Sequence, residues 1–219
     1  SMKYAWRGIG TDLTGGLNWQ INDLHSLGAK VDYAITTSGD TDETLNMDKW
    51  DRGTFIENVN SDGKKWSENP HNVLVNAYYN GTVGNLNIDF NTDMFVSHDN
   101  EYQNTDEVAT HDNRNVYAVS DSKNNMVATK LVLSYPIWRG QFQAGTEETF
   151  VKRNASNEIT GAQLPNSSTK VKDNVYAGFV QYGFALDQNT HFSLGLRFEH
   201  AYFDYIDKLN AAGNLSRSY

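Results

Sequence analysis

Residues 86–96 read LNIDFNTDMFV, and this stretch decides the fold class. Leu86, Ile88, Phe90, Thr92, Met94 and Val96 fall on one side of a period of two, with Asn87, Asp89, Asn91 and Asp93 on the other. A strand sorts residues this way, because its successive side chains point to opposite faces. Leu27, Ala29, Val31, Tyr33 and Ile35 repeat the pattern against Gly28, Lys30, Asp32 and Ala34. Similar runs at residues 13–21, 73–83, 127–137, 142–150, 176–186 and 192–202 bring the expected strands to eight. The chain reads as all-β.

How the strands join follows from parity. Side chains on one face of a hairpin must share that face across the turn. Val83 and Leu86 both belong to the apolar side, which leaves Gly84-Asn85 as a two-residue hairpin loop. The other short joins centre on Asn22-Asp23, Trp138-Arg139-Gly140 and Asp187-Gln188-Asn189. Hairpins are thus expected at about 12–37, 73–97, 126–150 and 175–204. The polar stretches 38–72, 98–125 and 151–174 read as long loops, with a further loop over 205–219. Together they make one unit over 1–219, an antiparallel up-and-down meander of about eight long strands. Long loops of this size are uncommon in compact soluble domains. A meander would place all of them at one end and all the tight turns at the other, the asymmetry of an outer-membrane β-barrel, with short periplasmic turns and long extracellular loops.

Composition bounds the partners. Among 219 residues the formal net charge is −9, and the 18 basic residues form no Lys/Arg run, which argues against a nucleic-acid surface. The absence of cysteine excludes disulfides, thiolate catalysis and Cys-based zinc sites. Mean hydropathy is −0.63, a value that does not count against a barrel, since only alternate residues of its strands meet lipid. Ser1-Met2-Lys3 is not a secretion signal. Ser1-Met2 reads as an added leader, so the chain is expected to be a piece of a longer protein.

Alternation alone also fits a soluble β-sandwich binding module, such as one for carbohydrate, with its apolar face packed inward. Three features favour the membrane. The expected strands run about 10–13 residues, longer than the usual 5–6 and suited to a tilted crossing. Trp19 and Phe192 lie near the tight turns, with Tyr33, Phe150, Tyr176 and Tyr202 toward the long loops, as interfacial aromatic girdles would. The opposite face carries Lys30, Asp32, Asp89, Asp93, Lys130, Glu147, Arg197 and Glu199, as a polar lumen would. Glu148 and His200 fall on the apolar side and require a place near an interface.

Residues 174–205 read NVYAGFVQYGFALDQNTHFSLGLRFEHAYFDY. Here Tyr176-Ala177, a short turn and Gly195-Leu196-Arg197-Phe198-Glu199 resemble a hairpin of the TonB-dependent-receptor-like outer-membrane β-barrel family. Gln141 to Glu147 looks like that family's upstream strand, and Gly213 to Tyr219 like the loop leading to its next strand. The resemblance implies a barrel of up to 22 strands with an amino-terminal plug. The sequence departs from the family in having no plug, no legible TonB-contact box and too few strands. What the resemblance implies is an internal barrel segment of a receptor or transporter that takes up or captures an unknown extracellular ligand. Its expected partners are outer-membrane lipid, the remaining strands and plug of the parent barrel, and other copies through exposed strand edges.

No enzyme signature emerges. The six histidines, at 25, 71, 98, 111, 191 and 200, show no convergent spacing, and no nucleophile elbow, zinc helix or phosphate loop appears. His98-Asp99 and His111-Asp112 imitate the rim site of a barrel hydrolase, but the ordinary reading is solvated loop. Acidic stretches such as 40–43 lack the spacing of a calcium loop. No catalytic residue, metal or cofactor is expected. Trp50, Phe55 and Trp66, aromatic residues in the first long polar stretch, are the candidate ligand contacts; folding the loop over the barrel mouth is their other reading.

Overall fold

The computed structural model describes residues 1–110 and 112–219, and among these the chain is a single antiparallel sheet with only a one-turn 3-10 helix at Ala211–Gly213. Its strands are β1 (Met2–Asn22), β2 (His25–Asp51), β3 (Thr54–Ser67), β4 (His71–Val83), β5 (Leu86–Ala109), β6 (Asn113–Ile137), β7 (Gly140–Thr160), β8 (Ser167–Ala185), β9 (His191–Asp207) and β10 (Leu215–Ser218). β3 and β4 are two halves of one column. β2 pairs with both, and the register runs on across the gap: Ser67 faces Gly39, and His71 faces Ile35. The interruption falls at Pro70, which has no N–H to give the ladder, while its carbonyl still accepts from Thr36 N at 2.9 Å. Counting that column once, eight long antiparallel columns stand side by side, as the alternation requires.

The tight turns lie where parity places them. Gly84 has φ +62 at the first of two loop positions, and Asn85 is not among the positive-φ residues, the pattern of a type II′ hairpin turn. The first turn is displaced by one residue, to Asp23-Leu24.

The expected long loops are a correction. Residues 38–72, 98–125 and 151–174 are mostly strand: β2 runs on to Asp51, β5 and β6 stay paired as far as Val108 and Asn113, and β7 and β8 as far as Asn157 and Ser167. The 205–219 loop likewise folds back, with β10 pairing on β9. These extensions lack an apolar face, which is why their polarity reads as loop. Their ladders are held instead by cross-strand polar side chains. Asn46 and Asn58 exchange amide hydrogen bonds at 3.0 and 3.1 Å, Asn60 lies within 2.5 Å of Asn46, and Arg114 pairs with Glu107.

The sheet is one layer thick. Among the described residues only Ala177 and Ala201 are buried apolar side chains, whereas Leu194, Leu196 and Phe198 are 79%, 76% and 74% exposed. No second sheet covers the apolar face, so the sandwich architecture does not apply. The registers instead join that face into one band: Val31, Val75, Met94, Val127 and Phe150 follow one another across β2, β4, β5, β6 and β7. On β5 the band runs from Leu86 to Val96. Ten steps of about 3.3 Å between its eleven residues, tilted as barrel strands are, give a height of about 25 Å, the apolar girdle of an outer-membrane barrel.

The stagger of the turns supplies the tilt. One rung crosses Ala29, Ala77, Thr92, Thr129, Glu148, Tyr176 and His200. Ala29 stands four residues from the start of β2 at His25, and His200 nine from the start of β9 at His191. Five residues of strand, about 16 Å, over six gaps of about 4.8 Å make a slope of roughly 30°. With the turns in one plane, the rung climbs through the membrane. Glu148 and His200 sit at its upper end, near the interface away from the tight turns, which accounts for two polar residues on the lipid side.

Candidate functional site

The inward face of β6–β9 carries a charged ladder. Lys130 and Glu147 are paired neighbours on β6 and β7, their Nζ and Oε1 atoms 2.8 Å apart. Arg197 on β9 reaches across β8 to Glu147 at 2.6 Å and also holds Glu199 at 3.1 Å. The crossing is possible because the β8 residue between Glu147 and Glu199 is Ala177, small enough to be covered. Phe179 lies over Gly145 on the same face. A Cβ at Gly145 would fall 2.5 Å from the Phe179 ring, so the strand needs glycine there.

Two further polar groups continue this face. Thr14 donates to Asp32 at 2.7 Å while Lys30 pairs with Asp32 at 2.9 Å. Asn76 donates to Asp93 at 2.8 Å and Asn91 at 3.3 Å. Among the described residues, every charged residue assigned from alternation to the polar side except Asp89 thus has a polar partner on that side. Such exposed pairs fix side-chain positions more than they stabilise.

The candidate aromatic contacts do not converge. Trp50 and Phe55 pack edge to face at the tip of the β2–β3 hairpin, with ring centroids 5.4 Å apart. Trp66 stacks on Tyr102 at 5.5 Å, with Tyr117 at 6.3 Å. Trp66 pairs with Asp40, and Trp50 is ten residues farther along β2, about 33 Å away. Two separate platforms result. Trp66, Tyr102 and Tyr117 lie on the same side of the sheet as the apolar band, since β5 pairs with β6 without a register shift. Beside them, Arg7 holds Asp40 at 3.0 Å and Asp42 at 2.6 Å. The hydrogen bond from Arg7 keeps the Asp40 carboxyl below its ordinary value, and the charge of Glu68 raises the Tyr102 phenol.

His98 and Asp99, read as a loop pair, are consecutive in β5 and point to opposite faces. The partner of His98 is Asp121, whose Oδ2 lies 2.6 Å from Nε2, and His71 meets the His98 ring edge-on at 5.7 Å. Cross-strand register would have found Asp121; sequence adjacency could not. His111 lies outside the described residues.

An apolar girdle, a polar opposite face and tight turns at one end are the layout of an outer-membrane barrel wall. The outer membrane protein beta-barrel family matches residues 79–219, well over half of the chain. The chain belongs to this family. The outer membrane protein beta-barrel assignment fixes its location in the outer membrane and agrees with the all-β meander. No curated protein matches it in sequence. The similar solved structures include the outer membrane protease OmpT from Escherichia coli, 13% identical over 100% of this chain and 80% of that one, with a TM-score of 0.34. The ferric citrate transporter FecA is 11% identical over 97% of this chain and 40% of its own, with a TM-score of 0.45. The ferric yersiniabactin uptake receptor FyuA from Yersinia pestis is 8% identical over 99% and 41%, with a TM-score of 0.46. The chain spans about two fifths of these two proteins. At this distance none of the three bears on function.

Proposed function

We propose that the chain is a wall segment of a wide, TonB-dependent type outer-membrane receptor barrel, whose parent captures or imports an extracellular ligand and is not an enzyme. The observation that carries this reading is the uncovered charged ladder of Lys130, Glu147, Arg197 and Glu199 on a sheet whose outer columns, β1 and β9–β10, do not meet. An eight-stranded barrel that closes on itself fills its interior with side chains. Here the inward face is charged and, among the described residues, no second layer covers it, as suits a wide lumen holding water or a plug. The remaining strands of that barrel, its plug and outer-membrane lipid are the partners this reading requires. The non-enzymatic part rests on geometry: His98 and Asp121 sit on the lipid side, and the nearest hydroxyl in sequence, that of Ser97, points to the other face.

The test is the conductance of the full-length protein in planar bilayers. A plugged receptor is expected to conduct little until urea unfolds its plug, and then to show large steps. A pore open before urea would replace the receptor with a diffusion channel.

A further inference from the structure

Four lysines, far apart in sequence, meet on the outward face of β6–β8. Lys152 on β7 faces Lys172 on β8, and one rung higher Asn154 is flanked by Lys123 on β6 and Lys170 on β8. All four share the side of Val127, Phe150 and Tyr176, because β6, β7 and β8 pair without any register shift. None has a carboxylate within ion-pair distance among the described residues. The acids near them are Asp204, opposite Lys172 on β9, and Asp121, already held by His98 at 2.6 Å. On a chain of net charge −9 this concentration of cations runs against the average. Like charges placed opposite each other destabilise a sheet unless something offsets them.

Height says what does. Lys152 lies two residues beyond Phe150, and Lys172 four beyond Tyr176, where the apolar band ends. Two to four residues of tilted strand carry the ammonium groups about 5–10 Å above the hydrocarbon, which is the headgroup layer. The tight turns are periplasmic, so the layer is that of the outer leaflet. A lipid there whose headgroup bears phosphate would seat its chains on Phe150 and Tyr176 and its anionic oxygens among the lysines. Both halves of such a ligand find their match on one strip of sheet.

We propose that Lys123, Lys152, Lys170 and Lys172 form a docking surface for the phosphorylated headgroup of an outer-leaflet lipid. This rests on the outer-membrane location and not on the transport reading. The test uses the full-length protein in detergent with three probes: bis-phosphorylated lipid A, the same glycolipid stripped of phosphate, and inorganic phosphate. The lipid retained per protein is measured by mass spectrometry, with the folded fraction checked by heat modifiability. Changing all four lysines to Gln is expected to lower lipid A retention at least tenfold, and changing all four to Arg to preserve it. Lys30→Gln on the inward face is expected to change nothing. The single changes Lys152→Gln and Lys172→Gln, expected to lower retention about threefold each, read the same property if the fourfold variant fails to fold. Undiminished retention in the Gln variants, equal retention of the stripped glycolipid, or displacement by millimolar inorganic phosphate would each overturn the proposal.

Discussion

Phe90 and Asn91 are neighbours in β5 that face opposite solvents, which makes them a direct test of the face assignment. Phe90 lies between Tyr79 and Leu131 on the apolar side, four residues into the eleven-residue band and so near mid-membrane. Asn91 lies between Tyr78 and Lys130 on the polar side, and accepts from Asn76 at 3.3 Å. An arginine at position 90 would place its charge near the bilayer midplane, at a cost of about 2–4 kcal/mol. That is a factor of roughly 30 to 1000 in the folded fraction. At position 91 the same arginine projects into a wet face with Asp89 and Asp93 two residues to either side, and is expected to cost less than about 1 kcal/mol. The assay is urea unfolding of the full-length protein in lipid vesicles, followed by heat modifiability on gels. Phe90→Arg should shift the midpoint strongly downward and Asn91→Arg should leave it nearly in place. Equal shifts for the two, or a larger one for Asn91→Arg, would refute the assignment of lipid and lumen faces.

Because the chain has no cysteine, single cysteines can report topology cleanly: Arg52→Cys at the β2–β3 tip should react with an impermeant maleimide on intact cells, whereas Asn85→Cys should react only after the outer membrane is permeabilised. Gly84→Val puts a β-branched residue at φ +62 and should destabilise the β4–β5 hairpin by about 1–2 kcal/mol, measured as a lower urea midpoint. The Asp40 carboxyl is held below its ordinary 3.8 by Arg7, so its contribution to the β1–β2 extension is present above that value and fades only as pH falls through the lower, folded one. Arg7→Gln should therefore make this hairpin open at a higher pH than in the wild type during acidification, read by protease cleavage near Asp40. Unchanged acid sensitivity would show that the Arg7 pair does not hold the extension.

The membrane part of the fold was legible because lipid imposes alternation. Leu86 to Val96, Gly84-Asn85 and the charged residues of the inward face could all be placed by parity. The hairpin extensions opposite the tight turns were not legible for the converse reason: a strand wet on both faces needs no apolar side, so the Asn46, Asn58 and Asn60 amides that tie β2 to β3 look the same as loop residues in sequence. Strand pairing also hid what it brings together. Asp121 is 23 residues from His98, and Lys123 is 49 from Lys172, distances that only the register closes. Trp50 and Trp66, by contrast, lie close in sequence and are held apart because one sits at the tip of the β2–β3 hairpin and the other near its foot.

The break at Pro70 also bears on how such a chain can change over generations. Because β2 keeps one register on either side of it, with Gly39 facing Ser67 above and Ile35 facing His71 below, the hairpin of residues 36–67 can be lengthened, trimmed or exchanged while every lipid-facing side chain beneath keeps its orientation. Variation above the break then falls on a detachable part, and the wall beneath it is untouched.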